Sequence, residues 1–152
     1  MRRKMALNNQ EFEELVQQLQ NQSFQDARSA FGEKGFNRWR NPHYHGQMED
    51  ADSHARIRGG CGDTMEIFLK FKDDRVEKAS YLTDGCGSSA LCGSFTAELA
   101  HGKSPEELFE LSPDDILETI GTFPEKDEHC AKLSILTLHE ALNVYLIKQA
   151  AK

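Results

Sequence analysis

The chain has 152 residues, of which 38% are apolar and 28% are charged, and its net charge is −7. This length suits a single domain with one buried core. An acidic chain is a poor general binder of nucleic acids, because neutralising phosphates requires a basic surface. The basic residues 2–4 resemble the start of a signal peptide, but polar residues follow where its apolar region would lie. No run is long enough to cross a bilayer. We therefore expect a cytoplasmic protein with neither nucleic-acid nor membrane partners.

Residues 1–30 are predicted to form a helical extension ahead of a main domain over residues 31–152. Asn8 and Glu11 have the spacing of a capping box at a helix start. The apolar residues that follow recur on one helical face, at Phe12, Leu15, Val16 and Leu19. That face is narrow, so the helix is expected to need something to pack against. A second segment, residues 24–40, mixes aromatic and basic residues.

Two strands are predicted in the middle of the chain. Apolar and polar residues alternate over residues 64–72, which is typical of a strand with one buried face. Asp73 and Asp74 predict a turn, and residues 75–83 predict a second strand that returns alongside the first. Residues 46–57 are polar with little periodicity, which leaves a weak strand and a loop as alternatives.

The remainder of the chain carries helix boundary signals. In chain order they are Ser88 or Ser89 as an N-cap, Gly102 as a stop, starts at Ser104-Pro105 and Ser112-Pro113, and a last helix from near Asp127 to about Lys148. Strands followed by helices indicate an α+β fold. We expect a small antiparallel β-sheet of about three strands, packed against several α-helices.

Three of the four cysteines share a setting. Cys61, Cys86 and Cys130 each lie where a loop gives way to a strand or helix. Cys86 and Cys130 are predicted at helix N-termini, which should make both thiols ionise more readily and so favour the thiolate form that binds iron or zinc. Disulfides are not expected, because nothing indicates an oxidising compartment. Cys92 instead falls on an apolar helix face and is predicted to lie in the core.

An ordered set of motifs resembles the IscU/NifU-type family of iron–sulfur cluster scaffolds. The set comprises Cys61-Gly62-Asp63, then Asp84-Gly85-Cys86-Gly87-Ser88, then His129-Cys130 before a helix, with Asn41-Pro42 and Gly46 upstream. The similarity extends from about residue 31 to the C-terminus. It implies a scaffold rather than an enzyme. Such a scaffold builds a transient [2Fe–2S] cluster from iron, takes its sulfur from a cysteine desulfurase, and passes the cluster to apo iron–sulfur acceptor proteins.

The resemblance also implies which residues hold the cluster. By matching position, Cys61, Cys86 and Cys130 are ligands or sulfur acceptors, and Asp63 and His129 compete for the remaining coordination position. A carboxylate is a weak partner for a cluster that prefers sulfur, whereas four thiolates would hold the cluster too firmly for transfer.

Two further partners belong to the resemblance. An electron-donating ferredoxin is one implied partner. A dedicated chaperone is the other, but residues 123–128 differ from the segment that it grips in the family, so its binding is not expected here.

Three competing interpretations use the same residues. A structural or regulatory zinc-binding module that modulates a cysteine desulfurase would suit these donors, and zinc could occupy the site in purified protein, although short paired cysteine motifs are missing. A cysteine-nucleophile enzyme based on Cys130 or Cys61 lacks a recognisable oxyanion motif. A permanent ferredoxin would need different ligand spacings and a fourth well-placed cysteine. The scaffold is the favoured hypothesis.

Overall fold

The structure, a computed structural model, describes residues 6–152, so the basic residues 2–4 lie outside the described part. Its sheet has three antiparallel strands in the order β1–β2–β3. The strands are β1 (Ser53–Arg58), β2 (Thr64–Lys72) and β3 (Arg75–Thr83). The helices are α1 (Asn9–Arg40), α2 (Gly87–Ala100), α3 (Pro105–Glu110), α4 (Pro113–Ile120) and α5 (His129–Ala150), with a 3₁₀ turn at Glu125–Asp127. The predicted α+β fold is confirmed.

Helix α1 consists of two helical stretches joined at Gly32, and the sequence also suggested two segments, with the second beginning near residue 24. The Asn8 side chain accepts a hydrogen bond from the Glu11 amide at 2.8 Å, and the Glu11 carboxylate accepts one from the Asn8 amide, which confirms the capping box. The backbone leaves helical geometry at Gly32, where φ is 70° and ψ is 179°. Packing changes along the helix: Ala27, Phe31 and Phe36 are buried, whereas the predicted apolar face over residues 12–19 is exposed.

The sheet follows the predicted strands closely. Asp73 and Asp74 have φ values of 53° and 59°, and positive φ at both positions is what a tight turn between twisted antiparallel strands requires. β1 pairs with β2 from Ser53 onward. The end of the polar segment 46–57 is therefore a strand and not a loop. Helix α2 packs against β3, and α5 packs against β1 and β2, so the core lies between the sheet and these two helices. Every helix of residues 6–152 is too short or too polar to cross a bilayer.

Two predicted helix starts are confirmed and two are corrected. Ser104 and Ser112 form capping boxes at α3 and α4. Ser88 and Ser89 do not cap α2, because Cys86 occupies the N-cap position and both serines are buried in the first turn. Helix α5 begins at His129, later than predicted, because a separate 3₁₀ turn precedes it.

Gly93 provides a test of how tightly α2 packs on the sheet. A Cβ atom at this position would lie 2.5 Å from Cδ2 of Tyr81 and 3.1 Å from Sδ of Met65, both of which are almost fully buried. Overpacking in Gly93→Ala should therefore lower the free energy of unfolding by about 3 kcal/mol, the upper end of the usual range, because both neighbouring side chains are buried. Alanine's better helix propensity, worth about 1 kcal/mol, offsets only part of this loss. Chemical denaturation of both proteins measures the difference. An equal or higher stability of the variant would show that the tyrosine ring moves aside.

Candidate metal centre

Three of the predicted site residues meet at one end of the sheet. The ligand atoms of Asp63, Cys86 and Cys130 all lie within 4.8 Å of one another. Asp63 directly precedes β2, Cys86 is the N-cap of α2, and Cys130 is the second residue of α5. Because β2 and β3 are antiparallel, the start of one strand lies beside the end of the other. This pairing brings the loops that carry Asp63 and Cys86 together, and the N-terminus of α5 closes the group.

Hydrogen bonds tie these two loops to each other. The Thr64 amide donates to Oδ1 of Asp84 at 2.7 Å, and the Thr83 hydroxyl donates to the Thr64 carbonyl at 2.7 Å. The same hydroxyl oxygen accepts a hydrogen bond from the Gly85 amide at 3.0 Å. The backbone on both sides of the site is thereby held in place by groups outside the set of Asp63, Cys86 and Cys130.

Ser89 lies beneath the site and was missed as a functional residue in the sequence. Its hydroxyl oxygen, which is fully buried, lies 2.7 Å from Oδ2 of Asp63 and 3.3 Å from Sγ of Cys130. The sequence suggested only a helix cap here. Placing the helix start at Gly87 would have indicated this contact. Position 89 is then the third residue of the helix, and the third residue lies next to the side chain of the N-cap, Cys86.

Ser88 makes a separate contact on the other side of the helix start. Its hydroxyl donates to Oδ2 of Asp127 at 2.8 Å, which joins α2 to the 3₁₀ turn before α5. This bond connects structural segments and does not involve the group of three ligand atoms.

Burial dominates the chemistry of Cys130. Its side chain is almost fully buried, and this desolvation raises the pKa of the thiol to about 11, with the nearby Ser89 hydroxyl lowering it only in part. The expectation that a helix N-terminus would make this thiol ionise more readily is therefore wrong for Cys130. Loss of hydration outweighs the helix-terminus effect at this depth. A bound cation would supply the positive charge that the site lacks, since metal coordination removes the thiol proton.

Cys61 and His129 lie beside the group of three. Both side chains are exposed, and with Lys132, Leu133 and other residues they line an open pocket of about 350 Å³. Nε2 of His129 is 3.7 Å from Sγ of Cys130, so the imidazole is near the site. Cys61 is carried by a glycine-rich loop, and its thiol is not among the ligand atoms that already converge.

Cys92 is fully buried, as predicted from its place on the apolar face of α2. Burial raises the pKa of this thiol well above its usual value. It therefore packs as a small apolar side chain and stays neutral, which separates it from the other three cysteines.

The donor types at the site restrict what it can bind. Two thiols and a carboxylate suit iron and zinc, whereas magnesium and calcium prefer shells made only of oxygen. Three converging donors leave a tetrahedral shell incomplete, and the exposed Cys61 and His129 side chains are the nearest candidates to complete it.

Comparison with known proteins decides the family. Residues 30–152 match the family model described as the NifU-like N terminal domain. The chain belongs to this family. The iron–sulfur cluster assembly scaffold protein IscU 1 of Archaeoglobus fulgidus is 34% identical over 119 residues, covering 78% of either chain. The iron–sulfur cluster assembly scaffold protein IscU of Escherichia coli is 30% identical over 128 residues, covering 81% of this chain and 99% of the relative.

A solved structure supports the fold independently. The N-terminal part of a NifU-like protein from Brucella abortus superposes with a TM-score of 0.63 at 18% identity. The match covers 80% of this chain and 97% of the other. At this level of identity the likeness concerns the fold, and it agrees with the family that the sequence motifs indicated.

Proposed function

We propose that this protein is a scaffold on which [2Fe–2S] clusters are assembled from iron and desulfurase-derived sulfur and then transferred to apo-acceptor proteins. One observation carries the proposal: the ligand atoms of Asp63, Cys86 and Cys130 converge within 4.8 Å in a chain of the NifU-like family. The scaffold names of relatives at 30–34% identity support the same role. In this role the protein holds a cargo and is not an enzyme.

Each predicted ligand has a proposed part. Cys86 and Cys130 hold the cluster from the start of α2 and the start of α5, where little movement is needed. Cys61 joins them by movement of its glycine-rich loop and supplies the third thiolate. Asp63 and His129 compete for the remaining position, and neither is as good a partner for the cluster as a thiolate.

An incomplete thiolate set is what transfer requires. A cluster with four cysteine ligands is held by soft thiolates throughout, as in a permanent ferredoxin. With a carboxylate or an imidazole in one position, an acceptor thiolate can enter there and begin to displace the scaffold. The exposure of Cys61 and His129 supports this view, because an approaching acceptor can reach them.

The proposed partners follow from the chemistry. Sulfur must be delivered in activated form, which a cysteine desulfurase supplies as a persulfide. Converting persulfide sulfur to sulfide also consumes electrons, and a ferredoxin would provide them. Acceptor proteins complete the sequence. The dedicated chaperone stays outside the proposal, because residues 123–128 lack the sequence that it grips.

Anaerobic reconstitution tests the proposal directly. The protein is incubated with iron, cysteine, a cysteine desulfurase and dithiothreitol, which supplies the electrons that reduce persulfide sulfur to sulfide, and its visible spectrum is followed. We expect the absorption of a [2Fe–2S] cluster, which decreases as added apo-ferredoxin gains its own cluster. The matched control is the Cys92→Ala variant, whose substitution lies in the core and leaves the predicted ligands in place.

The zinc-binding interpretation makes the opposite prediction. The same donors suit Zn²⁺, and a regulatory zinc module would remain colourless in the reconstitution. A protein that binds zinc alone, and whose iron-loaded form never transfers a cluster, would contradict the scaffold. A change in desulfurase rate caused by the zinc form would then favour the regulatory alternative.

A further inference from the structure

The Asp63 carboxylate has a single hydrogen-bond donor among residues 6–152, and that donor is Ser89. The serine oxygen is 2.7 Å from Oδ2 of Asp63 and 3.3 Å from Sγ of Cys130. It therefore touches two of the three converging ligand residues without being a ligand itself. We propose that Ser89 is a positioning residue that holds the Asp63 carboxylate beside the thiols and so sets how firmly the site binds its metal cargo.

The hydroxyl favours Asp63 over Cys130 as its acceptor. A serine hydroxyl carries one proton, so it donates to only one of the two at a time. The carboxylate oxygen is nearer and charged, and hydrogen bonds to charged acceptors are about twice as strong as neutral ones. The bond occupies Oδ2 and leaves Oδ1 of Asp63 free to bind a metal ion.

The Ser89 side chain is more tightly confined than the Asp63 side chain. Ser89 is fully buried in the first turn of α2, so its side chain has little room to move. Asp63 is only partly buried and lies on a loop. Without the serine hydroxyl, the carboxylate would turn toward water, and the site would lose one of its three preplaced donors.

Gly85 shows how closely the pair is packed. A Cβ atom at this position would lie 2.6 Å from Oδ2 of Asp63 and 2.7 Å from Oγ of Ser89. A side chain next to the hydrogen bond therefore requires Asp63 or Ser89 to shift. Gly85→Ala is a second way to displace the same bond, because the added methyl group would force the carboxylate or the hydroxyl aside.

The inference rests on the proposed function in treating the group of three as a metal site, but cobalt binding tests it without cluster assembly. The full chain is titrated anaerobically with Co²⁺, whose thiolate absorption reports binding. Ser89→Ala should weaken binding about ten-fold, since outer-shell partners of metal ligands are typically worth 10–100-fold in affinity. Gly85→Ala should also weaken Co²⁺ binding.

Two controls separate positioning from general stability. Ser88→Ala removes a neighbouring buried hydroxyl that bonds to Asp127. This variant should lower the unfolding midpoint about as much as Ser89→Ala does, and it should leave the Co²⁺ affinity unchanged. In an Asp63→Ala background, Ser89→Ala should cause no further loss of affinity, because the hydroxyl acts through the carboxylate.

The outcomes distinguish this inference from the scaffold proposal. Wild-type Co²⁺ affinity in Ser89→Ala, or an equal loss with and without Asp63, would overturn the positioning role even if clusters assemble and transfer normally. Weakened binding that depends on Asp63, in a protein that never assembles a cluster, would support the positioning role and contradict the scaffold.

Discussion

Replacing Cys86 or Cys130 by serine should abolish cluster retention and weaken Co²⁺ binding by at least about 100-fold, more than is typical for an outer-shell partner. Each substitution removes one of only two thiols in the converging group. A serine hydroxyl is a poor substitute, because it stays protonated at neutral pH and is a harder donor than a thiolate. Reconstitution monitored by visible absorption, with iron and sulfide determined chemically, measures the loss.

Cys61 and Cys92 serve as graded controls for that experiment. Cys92→Ala should retain the cluster, since its side chain lies in the core. Cys61→Ser should affect the cluster more than it affects Co²⁺, because Asp63, Cys86 and Cys130 already offer a single ion three of its four donors and water can supply the fourth. Normal cluster retention in both Cys86→Ser and Cys130→Ser would contradict the proposed site. Loss of the cluster in Cys92→Ala, with the fold intact, would show that the ligands have been assigned to the wrong cysteines.

Replacing Asp63 by alanine should slow the loss of the cluster to an acceptor. The carboxylate is the hardest of the proposed donors and exchanges most readily. Without it, His129 has no competitor for the remaining position, and its imidazole nitrogen already lies 3.7 Å from Sγ of Cys130. We expect transfer to slow by roughly ten-fold, equivalent to about 1.4 kcal/mol of barrier. The rate is measured by following the spectrum of an apo-ferredoxin acceptor.

His129→Ala provides the matched control for the aspartate variant. If the imidazole takes over when Asp63 is absent, the double variant should lose its cluster quickly, unlike Asp63→Ala alone. Unchanged or faster loss in Asp63→Ala would count against the role of the carboxylate as the exchangeable ligand.

Much of the fold could be predicted because its signals are local. The alternation of β2, the two aspartates in the hairpin turn and the serine-proline starts of α3 and α4 each depend on a few neighbouring residues. The α2 start was misassigned for the same reason. Ser88 and Ser89 have the chemistry of caps, but their hydroxyls bond to Asp127 and Asp63 instead, and these partners are distant in the chain.

The candidate site also has features that the sequence indicates and features that depend on the tertiary structure. From the sequence alone, the three cysteines could be separated from Cys92 by their glycine-rich and helix-start settings, and Asp63 and His129 could be named as weaker partners. Only the tertiary structure decided that Asp63, Cys86 and Cys130 converge while Cys61 and His129 remain exposed beside them.

The chain's own pattern thus determined which chemical groups are available, since residue type and local spacing are written in it directly. The tertiary structure decided how those groups behave. Burial of Cys130 reversed the expected pKa shift, and the closeness of Gly85 and Ser89 to Asp63 gave a serine a role that its position in the chain does not reveal. The burial of a side chain and its contacts depend on residues that are far apart in the sequence. The distances between those residues in space are set only when the sheet and the helices pack together.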